Sequence, residues 1–216
     1  MRYGLIRHLV NVLAVVAVLS FASAPARAEG GLVLLALGDS LTAGYGLPQP
    51  DAFPVQLEVT LRRLGQDVTV VNGGVSGDTS AGGRSRLDWL LASHVDAVIV
   101  ELGANDGLRG VDPAETRANL DWIVTRLKEK GLPVLLTGMQ APPNLGADYG
   151  VEFNTIYADL ARAHGVLLDP FYLQGVAADP ALNQKDGIHP NADGVAIIVK
   201  RMTPKVLELL ALARQK

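Results

Sequence analysis

A chain of 216 residues with no cysteine, a net charge of −3 and no basic run excludes disulfide frameworks, thiol catalysis and the clustered Lys and Arg that nucleic-acid phosphates require. Its length suits one domain, or one domain behind a targeting segment, and is sufficient to bury a core.

The first residues read as the targeting segment. Arg2, Arg7 and His8 precede an apolar run over residues 9–22, and Ala26-Arg27-Ala28 has the small-x-small form of a signal-peptidase site. The run falls short of the roughly 20 residues a membrane-spanning helix needs, which favours a cleaved leader over an anchor. Residues 1–28 are expected to be a signal peptide, leaving 29–216 as a periplasmic or secreted domain without stable membrane insertion.

From residue 31 onward, short apolar runs alternate with longer helical patterns, the signature of stacked β-α units. Strands are expected at 32–37, 68–72, 97–102, 134–139 and 166–168. Each is nearly all apolar. That suits strands covered on both faces in a parallel sheet better than half-exposed antiparallel ones. Helices are expected at 53–64, 80–93, 113–130, 151–164 and 192–213. The third is the clearest: Asp112 caps it, Pro113 fits its first turn, Leu120, Ile123, Val124 and Leu127 form one stripe, and Gly131 ends it. Pro204 is expected to break the last helix into two pieces.

The unusual polar clusters all follow predicted strands. Ser40 follows the first, the 72–79 stretch the second, Asn105 the third, and Asp186 with His189 lies in the long loop after the fifth. In a parallel sheet these strand ends share one edge, so residues far apart in the chain can meet in one crevice. A serine hydroxyl needs a base to remove its proton, and histidine is the side chain suited to that work near neutral pH. His189 is the candidate base, and Asp186, three residues earlier, is placed to hold the imidazole in the correct tautomer. Backbone N–H groups of Ser40 and Gly77, with the Asn105 amide, are candidate donors to an oxyanion. Asp39 and Asp106 read as turn braces, Asn72 and Asp78 as loop caps, and His94 and His164 as helix-end residues. The glycine-rich 72–77 stretch lacks the endings of phosphate-binding loops.

Two other classes stay open from the residues alone. Asp39, Asn105, Asp186 and His189 are plausible metal ligands for phosphoester hydrolysis, although one usable histidine is a poor supply. A non-catalytic exported binding domain would keep the same fold.

The blocks Gly38-Asp39-Ser40-Leu41, Val75-Ser76-Gly77-Asp78-Thr79, Gly103-Ala104-Asn105-Asp106 and Asp186-Gly187-Ile188-His189-Pro190 together resemble the SGNH (GDSL) hydrolase superfamily. The match in order and spacing covers essentially all of 29–216 and is similar to the thioesterase I, lysophospholipase L1 and arylesterase branch. The resemblance implies a three-layer α/β/α sandwich with a five-stranded parallel sheet. It also implies Ser40 as nucleophile, His189 as base, Asp186 as its orienting acid, and Ser40, Gly77 and Asn105 as the oxyanion hole. Gly77 is chosen by its Ser-Gly-Asp-Thr setting, with Gly74 as the fallback. No metal or cofactor is implied, and the partner is a small ester or lipid substrate: aryl or short acyl esters, with thioesters and lysophospholipids as further candidates. In this branch the segment after the asparagine acts as a mobile flap, here residues 107–111.

Overall fold

The computed structural model describes residues 30–216; the leader assigned to 1–28 lies outside them. The strands are β1 (Leu32–Gly38), β2 (Val68–Gly74), β3 (Ala97–Glu101), β4 (Val134–Thr137) and β5 (Leu167–Asp169). All pair in parallel, in the order β2-β1-β3-β4-β5. The helices are α1 (Ser40–Ala43), α2 (Phe53–Arg63), α3 (Ser80–Leu90), α4 (Ala104–Arg109), α5 (Pro113–Glu129), α6 (Ala147–His164) and α7 (Ala192–Arg214). Helix α2 packs on α7, while α5 packs on both α3 and α6, so the sheet lies between two helical layers.

That double cover explains the composition of the central strands β1, β3 and β4, whereas edge strand β2 alternates buried and exposed residues over 68–71 and is not covered on both faces. Leu34, Leu37, Val98, Ile99, Val100 and Leu135 are fully buried, and each contributes about 1.5–3 kcal/mol over an exposed position. The chain leaves β1 toward β2 on one side and later returns to place β3 on the other. The β1/β3 junction is therefore the topological switch point, where such sheets hold ligands beyond the carboxyl ends of the strands. Ser40 and Asn105 follow those two strands directly.

Two expectations need correction. Helix α7 runs unbroken through Pro204. The proline's missing N–H deprives the Lys200 carbonyl of its partner, but both residues are exposed, so water can serve that carbonyl. Buried residues on either side, from Ile198 and Met202 to Val206 and Leu209, hold the helix to the core as one piece. Helix α6 begins four residues earlier than its apolar stripe suggested, at Ala147 rather than residue 151. Within the segment expected to act as a flap, residues 107–109 form the last turn of α4, closed by left-handed Gly110 (φ 63°). Among the described residues no helix is long and apolar enough to cross a membrane.

Candidate active site

The nucleophile candidate stands at the first residue of α1. Asp39 caps that helix by accepting the Leu41 N–H at 2.9 Å, the turn-bracing role its sequence setting suggested. Ser40 Oγ lies 2.9 Å from His189 Nε2, and His189 Nδ1 lies 2.7 Å from Asp186 Oδ2. The structure thus joins three side chains from opposite ends of the domain in one chain of hydrogen bonds. Asp186 Oδ1 accepts the N–H groups of Ile188 and His189, each at 3.0 Å. Those two backbone donors, His189 first, together with the imidazole, pull the Asp186 carboxyl down to about 2.

The loop carrying His189 is fixed by residues the sequence did not single out. Gln184 N donates to the His189 carbonyl at 2.7 Å, and its side-chain amide donates to the carbonyls of Tyr45 and Pro190. Tyr45 also packs against the imidazole, with ring centroids 4.7 Å apart and planes tilted by 40°. The loop is thereby tied to the segment following the nucleophile.

The oxyanion candidates differ in how free they are. Among the described residues, neither the Ser40 N–H nor the Gly77 N–H has a hydrogen-bond acceptor. The Gly74 N–H donates to Asn72 Oδ1 at 3.0 Å, so the fallback glycine has its donor engaged. Asn105 gives one amide hydrogen to Asp39 Oδ2 at 3.0 Å, leaving the other available. Asp39 therefore does more than brace a turn, because its second oxygen orients the Asn105 amide. Asp106 also reaches farther than its own turn: it accepts from the N–H and hydroxyl of Ser80 and from Thr116, anchoring α3 and α5. Asn72 braces its loop as expected, whereas Asp78 is paired with Arg86 at 2.6 Å. His164 lies at the end of α6, 2.7 Å from Asp121, and His94 pairs with Asp96. Neither lines the cavity on which Ser40 opens, and His94 stands in the loop after α3 rather than at the helix end.

Beneath the nucleophile lies Glu101, at the end of β3, which sequence reasoning passed over as a strand residue. Its Oε2 accepts from Thr42 Oγ1 at 2.7 Å and from the Asp39 N–H at 3.3 Å, while Oε1 is buried without a partner. Burial, and then the neighbouring Asp39 charge, push its pKa well above the usual carboxylate range. Burial likewise pushes Asp39 up to about 6, against the opposing pull of the Leu41 N–H, the Asn105 amide and His189.

Both raised groups bind protons more tightly when folded than when unfolded. Their stabilising effect is complete below the ordinary carboxylate range near 4 and is lost as pH rises, through about 6 for Asp39 and higher for Glu101. Glu101→Gln, a permanently neutral analogue that can still accept from Thr42, should therefore gain melting temperature over the parent by an amount that grows between pH 5 and 7. Thermal unfolding in half-unit pH steps checks this; a constant offset would show that Glu101 ionises normally.

Ser40 and His189 open on a cavity of about 480 Å³, within the usual range for small-molecule sites. Its apolar wall includes Leu41, Leu108, Met139, Pro142, Phe171, Leu173 and Ile188. Pro142 and Pro143 come from the segment between β4 and α6. Among the described residues no three His, Cys, Asp or Glu side chains group as metal ligands. Asp39 points into the Asn105 amide and Asp186 into the imidazole, so the four donors considered for a metal are engaged with each other.

Residues 36–197 match the GDSL-like Lipase/Acylhydrolase family. The chain belongs to that family. Within the GDSL-like acylhydrolases, an arylesterase of Vibrio mimicus is 41% identical over 178 residues, covering 82% of this chain and 89% of the relative. The thioesterase 1/protease 1/lysophospholipase L1 of Escherichia coli (strain K12) is 40% identical over 185 residues, 85% of this chain and 88% of its own. Among solved structures, the SGNH-hydrolase family esterase AlinE4 shares 47% identity over 83% of this chain and 97% of that one, with a TM-score of 0.71. This GDSL-like acylhydrolase is accordingly an ester hydrolase with an SGNH-hydrolase fold, which sets aside a non-catalytic binding domain.

Proposed function

We propose that this hydrolase transfers acyl groups from small, partly apolar carboxylic esters to water through an acyl-enzyme on Ser40. The observation that carries the reading is the hydrogen-bonded series Asp186–His189–Ser40 opening directly on the apolar cavity. His189 Nε2 takes the Ser40 proton as Oγ attacks the carbonyl carbon. The carbonyl oxygen, now negative, is met by the free N–H groups of Ser40 and Gly77 and by the spare Asn105 amide hydrogen. The imidazolium passes its proton to the departing alcohol or thiol. Water then repeats the sequence on the acyl-enzyme, with His189 again as base, and releases the acid.

The cavity wall supports an uncharged acyl or aryl group, since among the described residues its only ionisable lining groups are Asp39 and His189. Aryl and short acyl esters fit this best; thioesters and lysophospholipids share the same acyl chemistry, and relatives bear all three names. The leader-like residues 1–28 support export, which would separate the enzyme from cytoplasmic acyl thioesters. A series of aryl esters of increasing acyl length, assayed beside thioesters and lysophospholipids with and without chelator, tests the reading. Turnover of the aryl esters should survive chelation and fall once the chain outgrows the cavity. Turnover that chelator abolishes, or that is confined to phosphoesters, would overturn it.

A further inference from the structure

Arg86, on the second turn of α3, takes no part in the steps above, yet its guanidinium binds two backbone carbonyls and a carboxylate beside the proposed Ser40 and Gly77 donors. Nε donates to Asp78 Oδ2 at 2.6 Å, Nη1 to the Gly73 carbonyl at 2.7 Å and Nη2 to the Gly38 carbonyl at 2.8 Å. Its side chain is 18% exposed, so these bonds form largely out of water. One planar group therefore connects the end of β1, the end of β2 and the turn after it.

What those partners hold is specific. The Gly38–Asp39 peptide is gripped at both ends, its carbonyl by Arg86 and its N–H by Glu101, and the next peptide presents the free Ser40 N–H. The Gly38 carbonyl also accepts the Val75 N–H at 3.0 Å, which fastens the start of the 75–78 turn to β1. That turn closes with the Asp78 N–H on the Val75 carbonyl at 3.0 Å, and Gly77 occupies its third position with φ 85°. Such a turn needs glycine there, and its plane sets where the Gly77 N–H points. Arg86 holds the far end of the turn through Asp78 and the near end through Gly38. On the outer side, Arg109 donates to the Gly77 carbonyl at 2.8 Å but is exposed.

We propose that Arg86 is a positioning residue of the esterase reaction, fixing the Ser40 and Gly77 N–H groups in register with each other through its bonds to Gly38, Gly73 and Asp78. The proposal rests on the assignment of those two N–H groups as oxyanion donors. Lysine cannot replace it, because an ammonium is a compact charge without the planar fork that reaches three acceptors in fixed directions. A donor displaced by a fraction of an ångström stabilises the developing oxyanion less while leaving ground-state binding in the apolar cavity intact.

The test uses Arg86→Lys and Arg86→Gln with an aryl ester, counting active sites with a serine-directed phosphonate. Expected is a fall in kcat per titrated site on the order of 10 to 10², KM within about two-fold, and no rescue by lysine. The carbonyl band of an arylacryloyl acyl-enzyme should shift toward that of a less polarised ester. Arg117→Gln, which removes the Arg117–Asp159 pair between α5 and α6, should leave both readouts unchanged. Asn105→Ala in the same series should lower kcat about 10²- to 10³-fold. If Asn105→Ala is impaired while both Arg86 variants keep the parental kcat and band, the positioning role is overturned alone. If the parental acyl-enzyme band also matches that of the free ester in water, no donors polarise its carbonyl and the assignment of the Ser40 and Gly77 N–H groups falls with it. Should the Arg86 variants fail to fold, Asp78→Asn loosens the same grip and is expected to lower kcat about ten-fold; parental kcat there overturns the proposal.

Discussion

Ser40→Ala should lower kcat on aryl esters by about 10⁶-fold with KM within a few-fold of the parent, the scale at which serine hydrolases lose their nucleophile. The reason is that the remaining groups can still bind and polarise the ester but have nothing in place to attack it. His189 Nε2 would lose the 2.9 Å partner from which it takes a proton and would face the cavity instead. A residual rate some 10³- to 10⁴-fold above that in water should survive, because the Gly77 and Asn105 donors and the main-chain N–H of residue 40 are untouched by the substitution. The fold should survive as well, since the cap of α1 is the Asp39 side chain and not the serine. Single-turnover kinetics and phosphonate labelling measure the outcome. A variant that still forms an adduct, or a parental adduct mapped to another residue, would remove Ser40 from the reaction.

The central strands β1, β3 and β4 were legible because burial on both faces forces near-uniform apolar runs, too short for the usual helix, and edge strand β2 was legible from its β-branched residues although half of it is exposed. The sheet edge was legible for a related reason: Ser40 and Asn105 are polar residues placed shortly after an apolar run stops, and His189 lies in the long loop that follows the last strand. What escaped was the layer beneath them. Glu101 is written into the last position of a strand whose other residues are Ala97, Val98, Ile99 and Val100, and only its contacts with Thr42 and Asp39, some 60 residues earlier, give it meaning. Arg86 looks like any helix arginine next to Arg84, yet Arg84 lies over the Trp122 ring at 4.9 Å whereas Arg86 turns inward to three strand-end acceptors. No local pattern separates the two. Pro204 failed in the opposite direction, since a local rule that is sound for an isolated helix gave way to a buried stripe on both sides of the proline. Asp39 was half read: its bond to the Leu41 N–H is local and follows from turn chemistry, but its bond to Asn105 spans 66 residues.

Asp186→Asn should lower kcat by about 10⁴-fold and be more damaging than Asp186→Ala, and the ordering follows from counting donors. The carboxylate accepts from three: the N–H groups of Ile188 and His189 on Oδ1, and the imidazole on Oδ2. An asparagine has one acceptor oxygen. With two backbone donors on one side, that oxygen turns toward the backbone and the NH₂ faces His189 Nδ1. The imidazole must then carry its proton on Nε2, so it can no longer accept the proton of Ser40. Alanine imposes no such tautomer, and because the Asp186 side chain is 37% exposed, water can take the carboxylate's place against Nδ1. The same exposure means that no large stability loss accompanies either change. In the parent the carboxyl is held down at about 2, so its bond to the ring is present above the ordinary carboxylate range and is lost only as pH falls through that value. Any acid limb of activity above pH 4 must then come from groups other than Asp186. Steady-state kinetics of both variants at pH 7 decide the matter: an asparagine variant as fast as the alanine one would mean that Asp186 acts only by holding its loop.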